Sequence, residues 1–266
     1  MTSIQSLFLG VLQGVAEFLP ISSSGHLVLL RQLMDLGEIP LLYDVLLHVS
    51  TLIVVIIVFR RKIGSIFSSI WRAAKAATDP GDRENLRLTL YILIATVVTG
   101  AVGFVLSRFE GLFFNRPRLV SLLFLVTALF LLSTLIRRGR RDYLQIGFLG
   151  AVIVGLAQGV GVLPGISRAG ITISVALLLG LDRQRAGEFS FLIAVPAILG
   201  ALLLQLREAG TLLEMIDPVT LLIGFVASFA IGLVSLLALL RVVRQGRLVL
   251  FSIYLVPLAA LSFIFL

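Results

Sequence analysis

Apolar stretches of about 20 residues recur along this chain, roughly the length an α-helix needs to cross a bilayer. Lipid offers backbone groups no water, so such stretches must be helices, whereas barrel strands would alternate in polarity. The composition agrees, with 59% hydrophobic and 14% charged residues and a mean hydropathy of +1.11. Soluble domains carry about 25% charged residues. The expected class is therefore an all-α integral membrane protein. A net charge of +8 raises the question of nucleic acid, but the basic residues lie in short loops between the apolar stretches. That is a membrane-topology pattern, and no nucleic-acid partner is expected. With no cysteine, disulfides, thiolate metal sites and cysteine nucleophiles are excluded. The first apolar stretch lacks a basic leader and a small-residue cleavage site, so it reads as a resident segment.

Six stretches read as full spans: 41–59, 88–107, 118–136, 186–206, 218–240 and 248–266. Two others are broken. Residues 4–19 end at Pro20, and the apolar run resumes only at His26. About 16 helical residues reach roughly 24 Å, short of a bilayer core of about 30 Å. Residues 146–163 and 170–181 repeat the arrangement around Pro164-Gly165-Ile166-Ser167-Arg168-Ala169-Gly170. Both read as re-entrant hairpins, two short helices meeting at a polar break. At a constant offset of 145, Gly10, Gln13, Gly14, Val15, Ile21, Ser22 and Gly25 match Gly155, Gln158, Gly159, Val160, Ile166, Ser167 and Gly170. Within one membrane domain over 1–266, this predicts two repeats of about 1–140 and 141–266. Each holds one hairpin and three spans. An odd number of spans inverts the second copy, so the hairpins enter from opposite faces and meet near the midplane.

Loops 60–87, 137–145, 181–185 and 241–247 hold 16 Lys and Arg, and the opposite side holds five. The positive-inside rule then places both termini outside. The stretch from Ile63 to Ala77, with Phe67, Ile70 and Trp71 beside Arg72 and Lys75, has the composition of a helix lying along the cytoplasmic interface.

Charges at membrane depth cost at least about 2.5–3.5 kcal/mol each. The exceptions to loop placement are Glu17 and Arg168, with His26 as a third titratable group, and all three lie in the two breaks. A structural reading makes Glu17 and Arg168 a pair that holds the hairpins together, with Ser22, Ser23 and Ser24 capping a helix. The functional reading starts from anion chemistry. Helix N-termini near His26 and Gly170 present free N–H groups and partial positive charge. Arg168 adds a planar fork suited to phosphate. Ser22, Ser23, Ser24, Ser167 and Thr172 add donors, and Gly25 and Gly170 permit close backbone approach. This set suits a diphosphate. Glu17 with His26 points beyond binding to chemistry, with the carboxylate orienting the imidazole. Gln13 lies one turn before Glu17 and can face phosphate or an ion. No cluster has metal-ligand spacing, so any ion would be Mg²⁺ or Ca²⁺ shared with substrate phosphates. Asp44 and His48, one turn apart, either shape the site or form an interfacial pair. Glu188 beside Arg185 reads as a helix-surface pair.

Gln13 to His26, Pro164-Gly165-Ile166-Ser167-Arg168, Thr172 and the segment Tyr43 to His48 together resemble the undecaprenyl-diphosphatase family of the bacitracin-resistance type, across essentially the whole chain. The resemblance implies removal of one phosphate from the C55 isoprenoid diphosphate at the outer face of the cytoplasmic (inner) membrane, recycling the lipid carrier of peptidoglycan synthesis. It makes Glu17 and His26 catalytic, Ser23 catalytic or phosphate-binding, and Arg168 a diphosphate ligand. Gln13 stands at an acidic position where that family accepts either residue. Ala169 replaces the usual Ser, and Ser50 the usual Gly. No covalent cofactor is implied, and a homodimer is compatible with the reading. Two mechanisms stay open, His26 attacking phosphorus or Ser23 attacking with His26 as base. A transporter or flippase is the alternative, since broken helices in inverted repeats also build transporters.

Overall fold

The computed structural model describes residues 1–33, 41–109, 116–136, 139–205 and 216–265. They form eleven α-helices and no named strand. The first break separates α1 (Ser3–Phe18) from α2 (Ser23–Leu33), and α3 (Leu41–Val58), α4 (Arg60–Ala74), α5 (Asp82–Ser107) and α6 (Pro117–Ser133) follow. The second break separates α7 (Gly147–Val160) from α8 (Arg168–Leu178), ahead of α9 (Arg183–Gln205), α10 (Pro218–Gln245) and α11 (Leu250–Phe265). The fold is that of an all-α, multi-pass membrane protein.

Of the six expected spans, α5, α9 and α10 are long and apolar enough to cross a bilayer on their own. A fourth candidate is α3 joined to α4, which bend by 74° at their junction. The remaining two, α6 and α11, run 17 and 16 residues, shorter than the stretches at 118–136 and 248–266. Apolar composition there continues beyond the helical hydrogen bonding, into turns at 134–136 and 248–249. Arg137, Arg138 and Arg207, used in the charge count, lie outside the described residues, as does the side chain of Arg31. The stretch from Ile63 to Ala77 lies mostly within α4. Its Phe67, Ile70 and Trp71 are exposed on one side, while Ile66 and Ser69 are buried.

The two broken segments pack on partners from the opposite half of the chain. Helix α1 lies along α10, and α7 lies along α5. Missing side chains make this closeness feasible. A Cβ on Gly10 would stand 2.3 Å from the Gly224 carbonyl oxygen, and one on Gly155 would stand 2.8 Å from that of Ala95. Helix α6 pairs with α11 and α3 with α9, so every main seam joins the two halves. The buried core runs through these seams, with Phe18, Phe124, Phe189 and Phe191 among its largest side chains.

Arg185 pairs with Glu84 at 3.4 Å, which corrects its expected pairing with Glu188. Glu188 accepts from the Tyr143 hydroxyl at 2.9 Å and from Gln184 at 3.0 Å. Burial, and then the Glu188 charge, push the Tyr143 phenol well above its usual range. Tyr143 therefore stays a neutral donor.

Candidate active site

Both breaks end in a serine that caps the following helix. Ser22 Oγ accepts from Gly25 N–H at 3.3 Å, and Ser167 Oγ accepts from Gly170 N–H at 3.1 Å. These are repeat-related pairs doing the same job, satisfying an N–H that the first helical turn leaves free. The breaks also touch. Ser22 Oγ accepts from the Gly165 N–H at 3.0 Å. Thr127 on α6 supports the second break, donating to the Gly165 carbonyl at 2.9 Å and accepting from Ser167 N–H at 3.0 Å. Ser22 stands at φ 72°, a left-handed conformation that costs a non-glycine residue of order 1 kcal/mol or more. Gly165, at φ +100°, takes a comparable turn without that cost.

Glu17 is the hub of the site. It is buried at the end of α1, and its carboxylate is met from four helices. Gln13 Nε2 donates to Oε2 at 3.1 Å from the same face of α1. Ser23 Oγ donates to the same oxygen at 2.8 Å from the start of α2. His48 Nε2 lies 3.3 Å from it on α3. Arg168 Nη2 pairs with Oε1 from the start of α8. The structure thus brings Gln13, Glu17, Ser23, His48 and Arg168 together. Two buried polar atoms here have no partner among the described residues, Gln13 Oε1 and Arg168 Nη1. The latter is a guanidinium donor beside the carboxylate, held ready for a further acceptor.

His26 is not paired with Glu17, which corrects the expectation that the carboxylate orients it. Its Nδ1–H donates to the Ser22 carbonyl at 2.8 Å. In the neutral ring, Nε2 is then an acceptor, and Tyr254 Oη on α11 donates to it at 2.8 Å. The two rings stack with centroids 5.7 Å apart, and Phe124 meets the imidazole edge-on at 5.2 Å. His26 therefore braces the strained turn at Ser22 against α6 and α11.

The other candidates divide. Ser22 and Ser167 are spent on capping, as above. The Ser24 hydroxyl lies 3.5 Å from that of Ser22. Thr172 points into the seam with α9, where its hydroxyl meets Ser190 and donates to the Arg168 carbonyl at 2.7 Å. Gly25 and Gly170 mark close approach: a Cβ on the first would stand 2.7 Å from the Phe124 ring and 2.8 Å from Gly165 N, and one on the second 3.2 Å from Pro20. The Asp44 carbonyl accepts from His48 Nδ1–H at 2.8 Å, fixing that ring. Sequence reasoning missed Tyr254, Phe124 and Thr127. A phenol and a threonine inside apolar spans were the available signals, since each is a hydroxyl in need of a partner.

A Mg²⁺ or Ca²⁺ ion requires six or more oxygens, with carboxylates prominent among them. Among the described residues, no group of three His, Asp or Glu side chains gathers, and both Glu17 oxygens already face protein donors. These residues do not form a cation cage of their own.

The repeat positions of Glu17, Ser23 and His26 in the second half are Val162, Arg168 and Ile171. The first break thus supplies the carboxylate, hydroxyl and imidazole, and the second supplies the cation. Comparison with known proteins covers both breaks. The family model described as "Bacitracin resistance protein BacA" matches residues 6–261. An undecaprenyl-diphosphatase of Treponema denticola is 42% identical over 258 residues, covering 97% of this chain and 95% of that protein. Proteins of the same name from Desulfosudis oleivorans and Korarchaeum cryptofilum are 42% and 40% identical over 265 and 262 residues, covering 96% and 97% of this chain and 95% and 98% of theirs. With a match that runs from before Gln13 to beyond Tyr254, and so takes in every residue of the site, the chain belongs to the bacitracin resistance protein BacA family.

Proposed function

We propose that the protein is an integral-membrane phosphatase converting undecaprenyl diphosphate to undecaprenyl phosphate and inorganic phosphate, and so returning the lipid carrier to cell-wall synthesis. The observation that carries this reading is the 2.8 Å hydrogen bond from Ser23 Oγ to Glu17 Oε2, with Arg168 on the other carboxylate oxygen. A binding site alone has no need to point a hydroxyl proton at a buried carboxylate. A carrier or flippase that leaves the anhydride intact is the weaker reading for that reason.

Ser23 is the nucleophile in this reading. Its Oγ attacks the terminal phosphorus, its proton passes to Glu17, and the bridging P–O bond breaks to release the monophosphate. Water then cleaves the phosphoserine. Arg168 turns its free Nη1 to the diphosphate and, with the N-termini of α2 and α8, offsets the charge on the phosphoryl oxygens. His26 has its attacking nitrogen occupied by Tyr254, so its part is to position the Ser22–Ser23 turn. A divalent ion would arrive bound to the diphosphate oxygens, where it adds charge neutralisation. The protein sits in the cytoplasmic membrane as an inverted repeat, with the basic loops inside and the site opening outward. One chain carries a whole site, so a homodimer would pair two independent ones.

Phosphate release from C55 diphosphate by the purified full chain is the test. Wild type releases phosphate, and Ser23→Ala and Glu17→Ala lower the rate by about 10³-fold or more. An acid-stable phosphoserine forms on quenching. An acid-labile phosphohistidine would return the nucleophile's role to His26. Well-folded wild type that releases no phosphate would leave lipid transport as the better account.

A further inference from the structure

Hydrolysis of a diphosphate ester near neutral pH liberates a proton, because two separately ionising phosphates replace one anhydride. In this site the proton is first delivered to Glu17, which is buried. Of the four side chains on that carboxylate, Gln13 is an amide, Arg168 stays protonated, and Ser23 is the source of the proton. His48 alone carries an imidazole, which can take up a proton at one nitrogen while the other holds a hydrogen bond.

Its geometry suits the task. The Nδ1–H is committed to the Asp44 carbonyl at 2.8 Å, which leaves Nε2 to face Glu17 Oε2 at 3.3 Å. The His48 side chain is 30% exposed and that of Glu17 is 5% exposed, so the ring links the buried carboxylate to the surroundings. The charged and titratable groups facing it are Glu17 from α1, Arg168 from α8 beyond that carboxylate, and Asp44 of its own helix. Helices α4, α9 and α10 also pack on α3, and every charge within them lies within six residues of a helix end.

We infer that His48 is the proton relay of this phosphatase, taking from Glu17 the proton that Ser23 gives up and passing it out of the site. The inference rests on the hydrolytic reading and deepens it. In the first half-reaction the Oγ–H bond of Ser23 breaks as Oγ–P forms, and the anhydride electron pair leaves with the monophosphate. Glu17 holds the proton and hands it to His48 Nε2, giving an imidazolium and restoring the carboxylate. In the second half-reaction Glu17 takes a proton from the attacking water and returns it to Ser23 Oγ as the P–Oγ bond breaks. Inorganic phosphate departs, and His48 gives its Nε2 proton to water entering the vacated site, which restores the neutral ring.

The test measures phosphate release from C55 diphosphate and acid-stable phosphoserine for wild type, His48→Ala and His48→Gln, across pH and with added imidazole. The relay predicts turnover about 10- to 100-fold lower in both variants, with phosphoserine accumulating because only the second half-reaction is starved of its base. Imidazole restores His48→Ala, and the pH profile of His48→Gln departs from that of wild type. Glutamine keeps a hydrogen bond to Glu17 but cannot carry a proton, so a merely positioning role would leave His48→Gln close to wild type with an unchanged profile. That result, or a His48→Ala loss that imidazole does not rescue, overturns the relay while the phosphatase stands. Absence of phosphate release by wild type overturns both.

Discussion

The Gly165 N–H donates to the Ser22 hydroxyl at 3.0 Å, a bond between tips that lie 143 residues apart in the chain. The same hydroxyl accepts from Gly25 N–H, and the Ser22 carbonyl accepts from His26. One small residue therefore locks the second tip, starts α2 and holds the imidazole, in a backbone conformation that serine rarely adopts.

Replacing Ser22 separates those roles. Ser22→Ala and Ser22→Gly both strip the acceptor from two buried N–H groups, at a cost of about 1–3 kcal/mol. Alanine also carries a Cβ into the left-handed region, so Ser22→Gly is the more stable of the two by about 1 kcal/mol. Thermal denaturation of the two variants in one detergent reads the difference, and equal stabilities would mean that the left-handed turn relaxes.

Arg168→Lys keeps a positive charge beside Glu17 but loses the fork that lets one nitrogen hold the carboxylate while the other meets phosphate. Its kcat/KM for the C55 diphosphate should fall at least about tenfold, a loss of about 1.4 kcal/mol. Steady-state kinetics check this, and a wild-type value would remove the bidentate role.

Gly10→Ala sets a methyl group against the backbone carbonyl of Gly224, where no flexible side chain can yield. The α1–α10 seam must open, at about 1–3 kcal/mol or more. Since α1 carries Glu17, the activity of surviving protein falls with the melting temperature. Gly100→Ala, with open space around its added Cβ, is the control that changes neither.

Divalent ions that travel with the substrate leave a specific signature. Mg²⁺ or Ca²⁺ raises phosphate release and chelation lowers it, yet neither moves the melting temperature of the ligand-free protein, because an ion without a site in the free protein adds no stability to it. A metal-dependent melting shift in the absence of lipid would instead reveal a resident site.

Much of this was legible in the sequence because membrane depth makes polarity conspicuous. Pro20 and Pro164 lie just beyond the ends of two helices too short to span, and the offset of 145 is enough to pair the two breaks. What stayed hidden was which side chains meet there. Glu17 and His26 sit on adjacent helices, nine residues apart, and suggested a pair. The turn at Ser22 gives Ser23 to the carboxylate and turns the imidazole towards Tyr254. Nothing in a linear pattern reports a single left-handed residue of that kind. His48 was visible as half of an Asp44–His48 spacing, and it does meet the Asp44 carbonyl, but its second nitrogen faces Glu17 on another helix. The ends of α6 and α11 were overrun because hydropathy reports apolar residues, while helices end where hydrogen bonding ends.

The gathering of four helices on one carboxylate has a consequence for the order of events at the ribosome. Glu17 is synthesised 151 residues ahead of Arg168. Ser23 follows it closely and His48 soon after, but the only permanent cation arrives when more than half of the chain has been made. Until then a lone acid has no counter-charge in lipid, and burying it ionised is costly. The Glu17 carboxylate therefore gains its permanent counter-charge only once the second break is in place. A chain that ends before the second break holds Ser23 and Glu17 without Arg168.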